Sequence, residues 1–454
     1  MTHRTILCSA PLVLLALAAC ESGGGKPSPA APASTASAAS SASASAAPAA
    51  PSTSLSAASA ASATTAPAIA PASADPKADV AKLADATVAF GEDLLARVDD
   101  KGNVVFSPTS IEAALAMTSA GARGATAREI GKALHLEALE GERLHAAFGA
   151  LLGSWSVKGS GEPELDVANR LYGQKGYPFV PDFVALTKER YGAELATVDY
   201  VGANEAARAQ INGWVSERTN KAIQELIGKG VLNTDTRLTL VDAIHLKGSW
   251  TERFPAGATH PAKFHAPGHD VEVPTMVGVR RTRFAEAPDA QIIALPFASA
   301  GAYELELDVV LPSAPAKGAP QAKPSLRAWT TALDAAAEST VTLTMPRFKI
   351  GSTFGLAPTL SAMGMPMAFS RDADFSGIDG KKDLYVQAVV HRAVLDVYET
   401  GAEAAAATAV VMGTKGLVIP AHKMTVDRAF YVLIRDRKSG ALLFLAHVRD
   451  PKSA

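Results

Sequence analysis

The chain has 454 residues, 48% of them hydrophobic and 6% aromatic, with a net charge of -2. This near-neutral balance leaves no basic footprint, so nucleic acid is not an expected partner. The length suits one large core behind a terminal extension, and the two cysteines, Cys8 and Cys20, cannot build a crosslinked scaffold.

In chain order, the first feature is a targeting segment. His3 and Arg4 precede an apolar run from Ile6 to Ala19, which is short for a mature bilayer anchor. It ends in Leu17-Ala18-Ala19-Cys20, which resembles a bacterial lipobox. The resemblance implies a lipoprotein signal peptide over residues 1–19 and acylation of Cys20, with two or three chains giving a stable anchor. Glu21 rather than Asp follows the cysteine, which implies the outer membrane, at its periplasmic face or at the cell surface. Secretion after an ordinary signal peptide is the alternative. From Glu21 to Ala74 the chain is nearly all Ala, Ser, Pro, Thr and Gly. Such a stretch lacks the large side chains that offset ordering entropy, so residues 20–76 are expected to form a disordered tether.

The folded part is expected over 77–454. Asp75-Pro76 opens a helix with a proline in its first turn. A short strand fits Asn103–Phe106, and Ser107-Pro108 starts a second helix that runs to the region of Gly121. Thr126 and Glu129 have the spacing of a capping box. Helices fit Pro181–Tyr191 and Glu205–Ile227. Strands fit Leu238–Leu246, Ile292–Pro296, Leu305–Leu311, Thr340–Pro346, Leu384–Val390 and Ala393–Tyr398. A closing hairpin pairs Phe430–Ile434 with Leu442–Val448 around Ser439-Gly440. Helices early and strands late predict an α+β fold with mainly antiparallel sheets.

Glu399–Gly416, ETGAEAAAATAVVMGTKG, is the least settled segment. Read as a strand, it places Ala402, Ala404, Ala406, Thr408, Val410 and Met412 on one uncharged face. Its alanines equally suit a helix or a loop. Local chemistry alone leaves these open.

The domain resembles the serpin family from about Lys77 to Pro451. The resemblance rests on Asn103-Val104-Val105-Phe106-Ser107-Pro108, Gly121-Ala122-Arg123-Gly124, Ile211-Asn212-Gly213-Trp214, Leu246-Lys247-Gly248-Ser249-Trp250, Met345-Pro346-Arg347-Phe348, Ala373-Asp374-Phe375-Ser376-Gly377 and Val390-His391-Arg392-Ala393. It implies helices packed around three mainly antiparallel β-sheets with an exposed reactive loop, about 399–421. The implied activity is suicide inhibition: a serine protease attacks the loop, forms an acyl-enzyme, and is trapped when the severed loop inserts into the main sheet. The hinge would be Glu399, Gly401, Ala402, Glu403, Ala404, Ala405, Ala406, Ala407 and Thr408. The family's count of seventeen residues from Glu399 puts the scissile bond at Lys415–Gly416. A lysine there implies a trypsin-like protease as partner. Ser107, Ser110, Asp242 and His391 correspond to the cluster where the sheet opens, with Asp242 replacing an asparagine. Such an Asp beside a His could make opening depend on pH. Trp250, Arg347 and Glu399 correspond to the loop-entry region, with a Glu399–Arg347 ion pair holding the hinge closed. No cofactor is implied, and a monomer is expected.

Other readings compete. A non-inhibitory serpin would serve as a binding or structural module. Ser107, Asp242 and His391 are also the ingredients of a hydrolase triad, although no Gly-x-Ser-x-Gly elbow surrounds Ser107. His260, His265 and His269 fit no tight metal spacing and read as a solvated loop. Arg280, Arg281 and Arg283 form a small basic run, read as a solvated strand or loop, with polyanion binding as its functional alternative.

Overall fold

In the computed structural model, which describes residues 75–98, 102–156, 163–301, 303–314, 324–402 and 420–452 but not the side chains of 166–168, 242 and 243, helices come first. The first helix, α1 (Pro76–Val98), starts where the Asp75 carboxylate accepts from the N–H groups of Lys77 and Ala78. After β1 (Val104–Phe106), α2 (Pro108–Ser119) is buried on nearly every side. That explains its apolar sequence without a polar stripe. The chain continues through α3 (Gly124–Ala133), α4 (Glu142–Trp155), β2 (Glu164–Gln174), α5 (Pro181–Tyr191), β3 (Glu194–Val198), α6 (Tyr200–Arg218) and β4 (Leu238–Ser249). Next come β5 (His260–Ala266), β6 (His269–Ala287), β7 (Ala290–Pro296), β8 (Leu305–Pro312), α7 (Leu326–Ala335), β9 (Glu338–Pro346) and β10 (Phe348–Gly355). The last strands are β11 (Val390–Tyr398), β12 (Gly401–Ala402), β13 (His422–Thr425), β14 (Phe430–Asp436) and β15 (Leu442–Val448).

These strands form three sheets, two of which share the long β6. Its first part pairs with β5 and β9, and β13 adds to β9. Its end pairs with β7, and that sheet continues through β8, β14, β15 and β1. The third sheet has the order β10-β11-β12-β4-β2-β3. All neighbours are antiparallel except β2 with β3 and β9 with β13. The architecture is therefore α+β with mainly antiparallel sheets, as expected.

Strands β14 and β15 are buried at every position, so their apolar runs lack the alternation of a one-sided sheet. The charged exceptions in β14 are Arg435 and Asp436, and Arg435 is held by Glu306 at 2.8 Å, Asp308 at 2.6 Å and Asp334 at 2.6 Å. A buried guanidinium is tolerated because carboxylates surround it.

Four expectations change. The helix expected over Glu205–Ile227 spans Tyr200–Arg218, because Asn220 and Lys221 take positive φ and end it. The capping box at Thr126 and Glu129 is absent: α3 begins at Gly124, the Thr126 hydroxyl accepts from Asp374 N–H, and Glu129 accepts from Met367 N–H. The run holding His260, His265 and His269 is the β5–β6 hairpin rather than a loop. Of the strand expected at Leu384–Val390, only Val390 is in a strand, at the start of β11.

Candidate functional site: a hinge entering an open sheet

Strand β11 alternates strictly. His391, Ala393, Leu395 and Val397 face the core, and Arg392, Val394 and Asp396 face the other side. Beyond Tyr398 the chain turns and re-enters the same sheet as β12, antiparallel to both neighbours. Ala402 lies opposite Val397 on one side and Gly248 on the other, and Gly401 lies opposite Tyr398 and Ser249. Gly401 and Ala402, both expected in the hinge, are thus already part of the sheet. Ala402 is 2% exposed, which a charged or bulky residue could not be without a large desolvation cost.

The turn is held from several directions. Trp250 N–H donates to Thr400 O at 3.0 Å and Phe254 N–H to Glu399 O at 2.9 Å. The Trp250 ring donates through Nε1 to Tyr398 O at 2.9 Å and stacks on Phe297 at 4.7 Å. The Glu399 carboxylate accepts from the Thr259 hydroxyl at 2.7 Å and lies 3.7 Å from Arg347 Nη1. Arg347 also covers the Tyr398 ring at 5.9 Å. Trp250, Arg347 and Glu399 therefore converge on one turn. The expected Glu399–Arg347 pair is thus present, on the turn that leads into Gly401–Ala402. Arg347 is largely exposed, so the pair positions the turn more than it stabilises the fold.

Below Ala402 the sheet is open. Among the described residues β4 and β11 share no direct ladder. A cavity of about 810 Å³ lies between Leu238–Val241 and Leu384–His391, floored by Ser110 and Ile111 of α2. This is why Leu384–Val389 is not a strand. On its other side, Val386 N–H donates to Ala368 O and Val389 O accepts from Leu356 N–H, while its β4 side faces the cavity.

Ser107, Ser110 and His391 meet at the floor of this gap. Ser107 Oγ caps α2 by accepting from Ser110 N–H at 3.2 Å. Ser107 N–H donates to His391 Nε2 at 3.0 Å, so that nitrogen carries no proton. Burial pushes the His391 imidazole down to about 4, consistent with a neutral acceptor. Asp242 sits six residues before Gly248 as His391 sits six before Val397, which places the two backbones level across the gap. The Asp242 side chain, and with it the expected pH effect of an Asp–His contact, lies outside the described residues, as do Cys20, Glu403, Ala404, Ala405, Ala406, Ala407, Thr408, Lys415 and Gly416.

The triad reading fails on geometry. It is the backbone N–H of Ser107 that reaches His391; its hydroxyl oxygen is spent on the helix cap and is fully buried. Nor do the arginines form a patch. Arg280 is buried against Phe254 at 3.9 Å, Arg283 is paired with Glu306 and Asp334, and Arg281 faces Glu338. His265 pairs with Asp270 at 2.7 Å.

Sequence reading assigned no role to Gly248. A Cβ there would lie 2.6 Å from the Phe297 ring. A lone glycine inside a strand is the signal that marks such a close approach.

A family model described as Serpin (serine protease inhibitor) matches residues 85–451. The leukocyte elastase inhibitor of Bos taurus is 37% identical over 387 residues, covering 82% of this chain and 100% of that protein. The crystal structure of uncleaved ovalbumin superposes with a TM-score of 0.73 at 25% identity, covering 82% of this chain and 100% of that one. That of a serpin from the insect Tenebrio molitor, described as highly specific, gives 0.68 at 29% identity, covering 81% and 98%.

Proposed function

The chain belongs to the serpin family of serine protease inhibitors, and from that premise we propose that it is a suicide substrate of trypsin-like proteases, cleaved at Lys415–Gly416. One observation carries the reading: Gly401–Ala402 already pair between β11 and β4, and farther along the same two chain segments a cavity of about 810 Å³ lies between Leu238–Val241 and Leu384–His391. Continuing that register places Ala404 opposite Leu395, Ala406 opposite Ala393 and Thr408 opposite His391. These alternate residues share the inward face of Ala402 and carry no charge. Insertion down to Lys415 takes the acylated residue sixteen steps from Glu399, about 50 Å at 3.3 Å each. The protease, still ester-linked to Lys415, would be dragged along with the loop before deacylation.

Specificity follows from Lys415. The bovine relative is named for an elastase, yet a lysine requires an acidic pocket in the protease. The anchor proposed at Cys20 would keep the inhibitor at the outer membrane, with the tether separating it from the surface. Incubation with trypsin tests the function. An SDS-stable complex supports it, and clean cleavage after Lys415 without a complex contradicts it.

A further inference from the structure

The segment 219–237, between α6 and β4, runs across the open part of the sheet. On the α6 side it is tied by Asn212, whose Oδ1 accepts from Leu226 N–H at 3.0 Å and Ile227 N–H at 2.8 Å, and whose Nδ2 donates to Ile227 O at 2.9 Å. Arg208 adds a bond to the Glu225 carboxylate at 2.8 Å. Ile223, Leu226, Ile227 and Leu232 of the segment pack with Tyr172 and Val241. On the β11 side two polar ties are seen among the described residues. Arg392 Nη1 donates to Glu225 O at 3.1 Å, and Thr236 Oγ1 donates to Gln387 Oε1 at 3.1 Å.

The ties matter because of the register. Each further residue of an entering strand steps back one position along both neighbours. Ala407 then comes opposite Arg392 and Ala243, and Met412 opposite Gln387 and Leu238. Ala407 would face the same side as Arg392, away from the core, and would have to pass beneath the tied segment.

We propose that Arg392, assisted by Gln387, latches the segment 219–237 across the gap and sets the rate at which an inserting loop passes the level of Ala407. Arg392 is a positioning residue in this scheme: it touches neither protease nor scissile bond. Its effect falls on the race between insertion and deacylation, so a tighter latch yields more cleaved inhibitor and fewer complexes. The inference rests on the loop-insertion reading above.

The test uses three chains, the unaltered one, Arg392→Met and Arg392→Lys. The probe is a labelled synthetic peptide with the sequence of Ala404–Lys415, whose uptake into the gap requires no protease. Loss of one charge-assisted hydrogen bond should speed uptake by about three- to tenfold in Arg392→Met, with fewer inhibitor molecules consumed per trypsin complex. Arg392→Lys keeps a donor and should stay near the unaltered rate. A residue that only stabilised the fold would lower the melting temperature without this rate change. If the unaltered chain forms trypsin complexes but Arg392→Met takes up peptide no faster, the latch is refuted and the inhibitory function stands. If the unaltered chain neither takes up peptide nor forms a complex, both fall.

Discussion

Gly401 approaches Gly248 so closely that a Cβ on Gly401 would lie 1.8 Å from the Gly248 carbonyl oxygen. The missing Cβ of Gly401 lets β12 lie against the β4 backbone, while Gly248 makes room for the Phe297 ring. The Gly401→Ala variant should therefore push β12 out of its pairing with β4. Its trypsin complexes should form at least about tenfold more slowly, and loop cleavage should continue. Ala402→Arg should go further, because the first buried position cannot take an unpaired charge. The readout is the ratio of complex to cleaved inhibitor on a denaturing gel.

The cleavage position predicts specificity through charge alone. Lys415→Ala should lower the rate of complex formation with trypsin by at least about 100-fold, because the acidic pocket is left unpaired. Lys415→Arg should restore it. Equal rates for Lys415→Ala and the unaltered chain would move the reactive bond elsewhere.

His391 makes stability depend on pH. Its native imidazole sits at about 4, pushed down by burial, while the unfolded value is about 6.5. The native state thus binds the proton less tightly. Its contribution is complete above the unfolded value and is lost as pH falls from there through about 4. His391→Gln retains an acceptor for Ser107 N–H, and should flatten the stability profile in that window by about one proton, or about 1.4 kcal/mol per pH unit. His145, also held at about 4 by burial and by Arg190, should add a slope of the same sign, opposed in this window by the raised carboxyls of Glu112 and Asp308. A denaturant-unfolding series from pH 7 to 4 measures this.

Glu112 acts with the opposite sign. It is fully buried on α2, and burial raises its carboxyl well above the usual range. The Thr87 hydroxyl lies 2.9 Å from Leu83 O and 2.6 Å from Glu112 Oε2; donation to Glu112 favours the charged form, and burial outweighs it. A raised native value stabilises fully below the unfolded pKa and is lost as pH rises through the native one. Glu112→Gln should match the unaltered chain near pH 4 and exceed it by about 1–3 kcal/mol near pH 8. A constant difference across pH would contradict a neutral Glu112.

How much of this was legible in the sequence depends on where each partner lies. Pro181–Tyr191 is legible to the residue, because its first-turn proline and its left-handed Gly192 cap are local signals. The helix expected to reach Ile227 was misread because Ile223, Leu226 and Ile227 keep an apolar helical spacing. Those residues instead pack beneath α6, captured by Asn212 from the previous helix. The β5–β6 hairpin was hidden by Pro261, Pro267 and three histidines, and its pairing is cross-strand. Leu384–Val390 has a strand's composition, but its β4 side faces the gap. For the site, order of motifs brought Trp250, Arg347 and Glu399 together on paper, and geometry places them around one turn. The partial entry of Gly401–Ala402 is not readable, since the approach of Gly401 to the Gly248 carbonyl is a contact between residues far apart in the chain.

The central claim is that this gap receives the loop after cleavage. A crystal structure of the domain cleaved after Lys415 measures it most directly. The account predicts a continuous strand from Gly401 to Met412 between β11 and β4, with Ala404 opposite Leu395 and Thr408 opposite His391. An unfilled gap in the cleaved domain, with the severed loop outside the sheet, would contradict it.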